Sequence, residues 1–157
     1  MRLVIGVFFL MVVLLAGCAQ EDAPEAPEVA EDPVTVDSLA IVNPWASVGS
    51  EGGTAAGYFV IENGDAKADT LLSASSPDMR RVEIHETFER EDGLSGMRSV
   101  EQLPVGSGDR VRFQPGGLHL MLVELDRALA TGDSVAVTLT FARQGDIALQ
   151  FPVRDRQ

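Results

Sequence analysis

The sequence predicts an all-β domain built as an antiparallel Greek-key β-sandwich or barrel. Between residues 38 and 157, short runs rich in Val, Ile, Leu and Phe alternate with turn signals such as Gly116-Gly117 and Gly132-Asp133. No helical period persists over about ten residues. Short strands at this spacing, divided by glycine-rich turns, are typical of β-sandwiches and barrels.

Turn residues set the bounds of the predicted strands. The first strand is expected to end at Asn43-Pro44, and the second at Asn63-Gly64, a dipeptide that favours a tight turn with positive φ. Glu91-Asp92-Gly93 predicts a hairpin between the third and fourth strands. The predicted strands are Leu39–Val42, Ala55–Glu62, Arg81–Phe88, Leu94–Val100, Val111–Phe113, Leu118–Leu125, Ser134–Phe141 and Ile147–Val153.

Residues 1–17 are predicted to be a lipoprotein signal peptide. Arg2 precedes the apolar run Leu3–Ala16, which is shorter than the roughly 18 residues that span a bilayer. The run leads into Leu15-Ala16-Gly17-Cys18, which resembles the lipobox of bacterial lipoproteins, where the chain is cut before a cysteine that then carries lipid. An uncleaved membrane anchor is the alternative. Lipidation of Cys18 would place the protein in the periplasm or cell envelope, anchored to a membrane.

Residues 18–37 are predicted to form a tether between the lipid and the domain. Residues 19–37 contain seven acidic residues, no basic residue and prolines at 24, 27 and 33. Such a segment cannot bury enough apolar surface to order itself. At about 3 Å per residue, it would reach on the order of 50 Å from the membrane.

Charge and cysteine content exclude several functions for the domain, residues 38–157. Residues 38–157 carry 17 acidic and 11 basic side chains, a net charge of about −6, which makes nucleic acid an unfavourable partner. Cys18 is the single cysteine, so its lipidation would leave neither a thiol nor a disulfide. Blue-copper, binuclear copper and zinc-ribbon sites, all of which need thiolates, are thereby excluded.

The two histidines of the chain, His85 and His119, share one pattern. Each alternates with apolar residues, so each is expected on the strand face opposite the core. Met121 follows His119 by two residues and is expected on the same face, with Cα atoms about 6.5 Å apart. The hairpin centred near Asp92 would bring Met97 opposite Thr87 or Glu86.

If the two strands are neighbours, His85, Met97, His119 and Met121 form a set of two imidazoles and two thioethers. Neutral, soft thioether sulfur suits Cu(I) alongside imidazole and is a poor ligand for zinc, magnesium or calcium. Each residue alone has a commoner explanation: a hydrogen-bonded or surface histidine, and a methionine that fills the core or covers an edge. Their joint placement favours copper.

Ordinary structural roles are also expected for other residues that could suggest binding. Trp45 and Tyr58 are predicted to pack in the core, since the domain has few aromatics. The acidic residues from Glu83 to Asp92 are predicted to lie on a solvated strand face and turn.

The order of His85, Met97, His119 and Met121 resembles the ligand pattern of the periplasmic copper chaperone (PCuAC-like) family that supplies cytochrome c oxidase. Eleven residues separate His85 from Met97, and twenty-one separate Met97 from His119. AAGYFVIEN, VEIHET, PGGLHLML and GDSVAVTLTF are similar to that family as well. The resemblance covers about residues 39–153.

The resemblance implies a cupredoxin-like β-barrel that binds one Cu(I) through His85, Met97, His119 and Met121. It implies delivery to the copper-site subunit of cytochrome c oxidase, with a Sco-type thioredoxin-like protein as a further partner, and we expect a monomer. Many relatives have Met directly after the first His, where this chain has Glu86. The C-terminal FPVRDRQ lacks the Met and His residues that form a second site in some relatives, so one site is expected.

Two other classes of function remain as alternatives. A non-metal β-sandwich lipoprotein of the envelope could act as a protein-binding module, with no need for thioethers at Met97 and Met121. An enzyme is not expected, because the chain has no nucleophile motif and no paired-carboxylate signature.

Overall fold

A computed structural model of the protein describes residues 33–155. The predicted signal peptide, Cys18 and all but the end of the predicted tether lie outside this range. In the described part the secondary structure consists of strands and turns. No helix there is long and apolar enough to cross a membrane.

Eleven strands make up this part of the chain, three more than the eight predicted. They are β1 (Val34–Val36), β2 (Leu39–Ser47), β3 (Thr54–Asn63), β4 (Asp69–Ser75), β5 (Met79–Glu89), β6 (Ser95–Ser99), β7 (Leu103–Val105), β8 (Arg110–Phe113), β9 (Leu118–Leu125), β10 (Ser134–Phe141) and β11 (Gly145–Arg154).

Eight of these strands close into a barrel, which confirms the predicted fold class. The neighbours run β5-β9-β8-β3-β2-β11-β10-β4, and β4 pairs with β5 to complete the ring. Strands β6, β7 and β1 are added at the outside, on β5, β4 and β2 respectively. Most neighbours are antiparallel, and β11 with β2 and β8 with β9 are parallel.

The barrel interior is apolar and filled by side chains from every wall. Phe59 stacks on Phe113 with ring centroids 4.2 Å apart and meets Phe151 edge-on at 5.7 Å. Leu120 and Leu122 of β9 are fully buried in the same core. This confirms that the leucines of GGLHLMLVEL face inward, and it fixes His119 and Met121 on the outer side of the wall.

The first strand does not end at Asn43-Pro44 as predicted. β2 continues to Ser47, and its pairing with β3 shifts register between Val42 and Trp45. Asn43 adopts φ 50° inside this irregularity. A bulge tolerates proline because its residues leave the hydrogen-bond ladder, so the dipeptide bends the strand without ending it.

Three strands were missed, the first because it was assigned to the acidic tether and the other two because their sequences carry weak β signals. Val34–Val36, assigned by sequence to the tether, pairs with Leu39–Ile41, so strand pairing starts before residue 38. β4 has the polar sequence DTLLSAS, and β7 is only LPV. Both are stabilised by neighbours distant in sequence, which local propensity does not report.

Asn63-Gly64 does not form the expected turn with positive φ. Asn63 is buried, and its side-chain amide donates to the carbonyls of Lys67, Val105 and Gly106. The side-chain oxygen Oδ1 of Asn63 accepts a hydrogen bond from the main-chain amide of Asp65, as in an Asx turn. The dipeptide therefore starts a crossover toward β4.

Candidate metal centre

His85 and His119 lie directly opposite one another in neighbouring strands of the barrel wall. β5 and β9 are antiparallel, and their register pairs His85 with His119 and Glu83 with Met121. The imidazole rings have centroids 5.9 Å apart and an interplanar angle of 61°. The condition on which the predicted site depended, that the two strands are neighbours, is met.

The separation of the rings suits a shared metal ion. With a metal–nitrogen bond of about 2.0–2.1 Å and a ring radius of about 1.2 Å, two imidazoles on one metal have centroids roughly 5 to 6.5 Å apart. The 5.9 Å between His85 and His119 falls within this interval. The rings can therefore bind one ion without a change in strand register.

Backbone geometry fixes the ring of His119. Its Nδ1 lies 3.0 Å from the carbonyl oxygen of Gly117, which also accepts the amide of Thr87 at 3.1 Å. A carbonyl can only accept, so Nδ1 carries the proton and Nε2 keeps its lone pair. His119 is 9% exposed.

A carboxylate holds His85 in the complementary manner. Its Nε2 lies 2.9 Å from Oε2 of Glu83, and the His85 side chain is 15% exposed. The Nδ1 atom is buried and has no hydrogen-bond partner among the described residues. A buried nitrogen with a lone pair and no partner costs free energy unless a ligand binds it.

Glu83 is itself held by a second charged group. Its Oε1 accepts from Nε of Arg81 at 2.7 Å, and Arg81 also donates to Glu124 at 3.2 Å. The hydrogen bond from Arg81, and secondarily that from His85, lowers the pKa of Glu83. Glu83 is therefore an ionised acceptor for His85 near neutral pH.

The two methionines occupy the same face at different depths. Met121 is half-buried opposite Ala56 of β3, whereas Met97 on β6 is 58% exposed. Met97 pairs with Thr87, one of the two partners predicted from the hairpin. Met97, His119 and Met121 line one pocket together with Tyr58, Thr87 and Pro115.

Glu86 belongs to the other face of the hairpin. Its neighbour across the ladder is Arg98, whose guanidinium donates to Oε2 at 2.9 and 2.6 Å. The same guanidinium lies 5.2 Å above the ring of Phe88. Because successive residues of a strand alternate in direction, Glu86 points away from His85 and Met121.

The environment of the site differs from the sequence expectation in two respects. His85 and His119 were placed on an exposed face, yet both are largely buried. Met97, Pro115 and Gly116 line the same pocket as His119. Trp45 is half-buried and packs against the buried Tyr58, with the two ring centroids 4.5 Å apart. Tyr58 borders the pocket on the outer side of the barrel, so these two rings are not part of the interior core.

Sequence reasoning missed the roles of Glu83 and the Gly117 carbonyl. Glu83 had been assigned to a solvated acidic face. Its spacing of two residues from His85 on one strand was the available signal, since that spacing puts both side chains on one face. The Gly117 carbonyl has no signature in sequence, because any residue supplies one.

Within residues 33–155, no group of three or more His, Cys, Asp or Glu side chains is arranged to hold a metal ion. Thioethers are not among those donors. The candidate donors in this part of the chain are two imidazoles and two methionine sulfurs. One nitrogen of each imidazole is already hydrogen-bonded. This chemistry fits a soft, monovalent ion such as Cu(I).

The fold defines a class, the small closed β-barrels, and comparisons with solved structures agree on that fold. The chain resembles the structure titled "Copper-bound PCuAC domain from PmoF2", with TM-score 0.68 and 24% identity over 80% of this chain and all of that one. It also resembles the solution structure of CuI-DR1885 from Deinococcus radiodurans, with TM-score 0.57 and 21% identity over 83% of this chain and 84% of that one.

Residues 39–153 match the family described as "Putative lipoprotein LpqE-like", and the chain belongs to that family. A relative from Leifsonia xyli subsp. xyli, "Putative lipoprotein Lxx21020", is 27% identical over 90% of this chain and 82% of its own length. The predicted resemblance to PCuAC domains is confirmed in the fold, because the barrel has the cupredoxin-like fold of those domains.

Proposed function

We propose that this protein is an extracytoplasmic copper chaperone that binds one Cu(I) through His85, Met97, His119 and Met121. The observation that carries the proposal is the direct pairing of the two histidines, each with one nitrogen held by an acceptor, and with Nδ1 of His85 lacking a partner among the described residues. Two thioethers on the same face complete a soft, neutral set. The copper-bound state of the PmoF2 domain supports the choice of metal.

A competition titration tests this binding. The purified chain is titrated anaerobically with Cu(I) in the presence of a chromophoric Cu(I) chelator, beside a variant with alanine at all four positions. We expect one equivalent of Cu(I) to be held by the wild type and a large loss in the variant. Equal affinities would contradict the proposal. A melting temperature unchanged by Cu(I) would instead favour the non-metal binding module.

The acceptor of the copper is proposed to be the copper-site subunit of cytochrome c oxidase. Neutral ligands and the absence of a thiolate suit a site that must release its metal, and the resemblance to copper chaperones supports this pathway. A transfer assay tests it: the Cu(I)-loaded chain is mixed with the copper-free subunit, with and without a Sco-type protein, and copper is measured after separation. Copper that stays with the chain in both mixtures would contradict delivery to this acceptor.

Lipidation of Cys18 is proposed to hold the chaperone at a membrane on the periplasmic side, as a carrier and not as an enzyme. The lipobox-like sequence supports this location, as do the lipoprotein names of the family and of the Leifsonia relative. Substitution Cys18→Ser is expected to move the protein from the membrane fraction to the soluble fraction. An unchanged distribution would contradict a lipid anchor at this residue.

A further inference from the structure

The two histidines present opposite nitrogens to their hydrogen-bond partners. His85 uses Nε2 toward a carboxylate, whereas His119 uses Nδ1 toward a main-chain carbonyl. Both partners are acceptors only, so each must receive a proton from the ring. In the neutral imidazole the other nitrogen then holds the lone pair, Nδ1 in His85 and Nε2 in His119.

We propose that Glu83 is a positioning residue that selects the tautomer of His85, so that copper is bound by Nδ1 of His85 and by Nε2 of His119. This inference rests on the proposed function and adds the identity of the ligand atoms and the residue that sets one of them. Metal-binding histidines commonly donate their second N–H to a carboxylate or carbonyl, which fixes the ring and strengthens the ligand.

Three observations support a role for Glu83 beyond that of a surface acid. Its carboxylate bridges His85 and Arg81, at 2.9 and 2.7 Å, so its orientation is held from both sides. Arg81 in turn donates a hydrogen bond to Glu124 on β9. The Glu83–Arg81 pair is therefore connected to the strand that carries His119. The buried Nδ1 of His85 lacks a partner in the described part of the chain, as expected for an atom reserved for a ligand.

The tautomers can be read directly from the copper-free protein. Long-range proton–nitrogen NMR on the full chain, in detergent, assigns which ring nitrogen carries the proton. We expect Nε2–H in His85 and Nδ1–H in His119. Addition of Cu(I), which is diamagnetic, should then shift the resonances of His85 Nδ1 and His119 Nε2 most strongly. The opposite tautomer in His85, or a shift centred on its Nε2, would overturn the assignment.

Substitutions at Glu83 test its positioning role. Glu83→Ala should weaken Cu(I) binding by about 10- to 100-fold, the usual cost of losing an outer partner of a metal-binding histidine. The tautomers of His85 should become mixed. Glu83→Gln keeps a carbonyl oxygen that can accept from Nε2, so it should recover most of the affinity and the original tautomer.

Glu62→Ala provides the matched control. Glu62 also lies on a barrel strand and pairs with an arginine, Arg110, at 3.2 Å, but it has no contact with either histidine. Its removal should leave Cu(I) affinity unchanged. If Glu83→Ala behaves like Glu62→Ala, the role of Glu83 is refuted while copper binding stands. If the wild type takes up no Cu(I), the proposed function fails, and the ligand-atom assignment fails with it.

Discussion

The barrel wall and the β5–β6 hairpin both supply ligands to the proposed copper site, under very different constraints. His85 and His119 sit in neighbouring wall strands, are largely buried and are each held by a hydrogen bond. Met97 lies on β6, which ends the strand order and has β5 as its neighbour, and its side chain is 58% exposed. The wall can hold its two histidines rigidly, whereas the hairpin carries Met97, a side chain that solvent or another protein can reach.

This difference bears on how a chaperone could both bind and release its metal. Ligands fixed by the wall need little ordering when the metal arrives, so they supply affinity. A thioether on an exposed edge can be replaced by a ligand from an acceptor protein while the histidines still hold the ion. We therefore expect the histidines to govern affinity and Met97 to govern the rate of exchange.

The largest effect is expected from removal of a wall histidine. His119→Ala and His85→Ala should each weaken Cu(I) binding by more than about 100-fold, since the loss of a ligand should exceed the 10- to 100-fold cost of losing its outer partner. Chelator competition measures the affinity, and circular dichroism of the copper-free variants tests folding. If one of the two variants kept wild-type affinity, the site would not use both imidazoles.

The comparison of the two methionines should give a smaller but more informative effect. Met97→Ala should weaken binding by roughly tenfold, or about 1.4 kcal/mol, and should speed the loss of Cu(I) to a chelator in stopped-flow measurements. Because Met97 is exposed, the melting temperature of the copper-free protein should hardly change.

Met121→Ala serves as the partner in this comparison. Met121 is half-buried in the wall opposite Glu83 and Ala56, so its loss should lower affinity more than the loss of Met97, with little effect on the rate of surface exchange. It should also weaken Cu(I) far more than it destabilises the copper-free barrel. Equal losses of affinity and stability would indicate that Met121 is a packing residue.

Sequence patterns captured the parts of this molecule that depend on local periodicity. The two-residue period of GGLHLMLVEL separated Leu120 and Leu122 from His119 and Met121. The hairpin turn near Asp92 predicted Met97 opposite Thr87 or Glu86, and its partner is Thr87. Both follow from strand geometry alone. The pairing of β5 with β9, by contrast, could only be assumed, because it joins segments more than thirty residues apart in the sequence.

Features that depend on tertiary structure were beyond the sequence. His119 is buried and shares a pocket with Met97, Pro115 and Gly116, which come from other parts of the chain, whereas alternation along β9 predicted an exposed side chain. β7 consists of three residues stabilised by pairing with β4. The contact between Glu83 and His85 was within reach of the two-residue rule, but a carboxylate on a strand is usually solvated and gave no reason to single it out.

Gly96→Ala would perturb the hairpin without touching a proposed ligand. A Cβ at Gly96 would lie 2.6 Å from Cζ of Phe88, so the ring must move and would lose its place beneath Arg98. The ring is the far end of a partly exposed side chain that can shift, so we expect little loss of stability and weaker Cu(I) binding through Met97. Ser95→Ala on the same exposed strand is the control and should behave as wild type. Full retention of affinity in Gly96→Ala would mean that hairpin packing does not position Met97.

The smallest effect is expected at Glu86, the position where many periplasmic copper chaperones have methionine. Glu86 points to the face opposite His85 and is paired with Arg98, so Glu86→Met should add no sulfur ligand to the site. Loss of a largely exposed ion pair should cost less than roughly 1 kcal/mol of stability, and Cu(I) affinity should stay close to that of the wild type. X-ray absorption of the loaded variant measures the number of sulfur ligands. An additional sulfur would show that the hairpin rotates residue 86 toward the metal, and then the wall alone would be rigid while β5 beyond His85 moves with the hairpin.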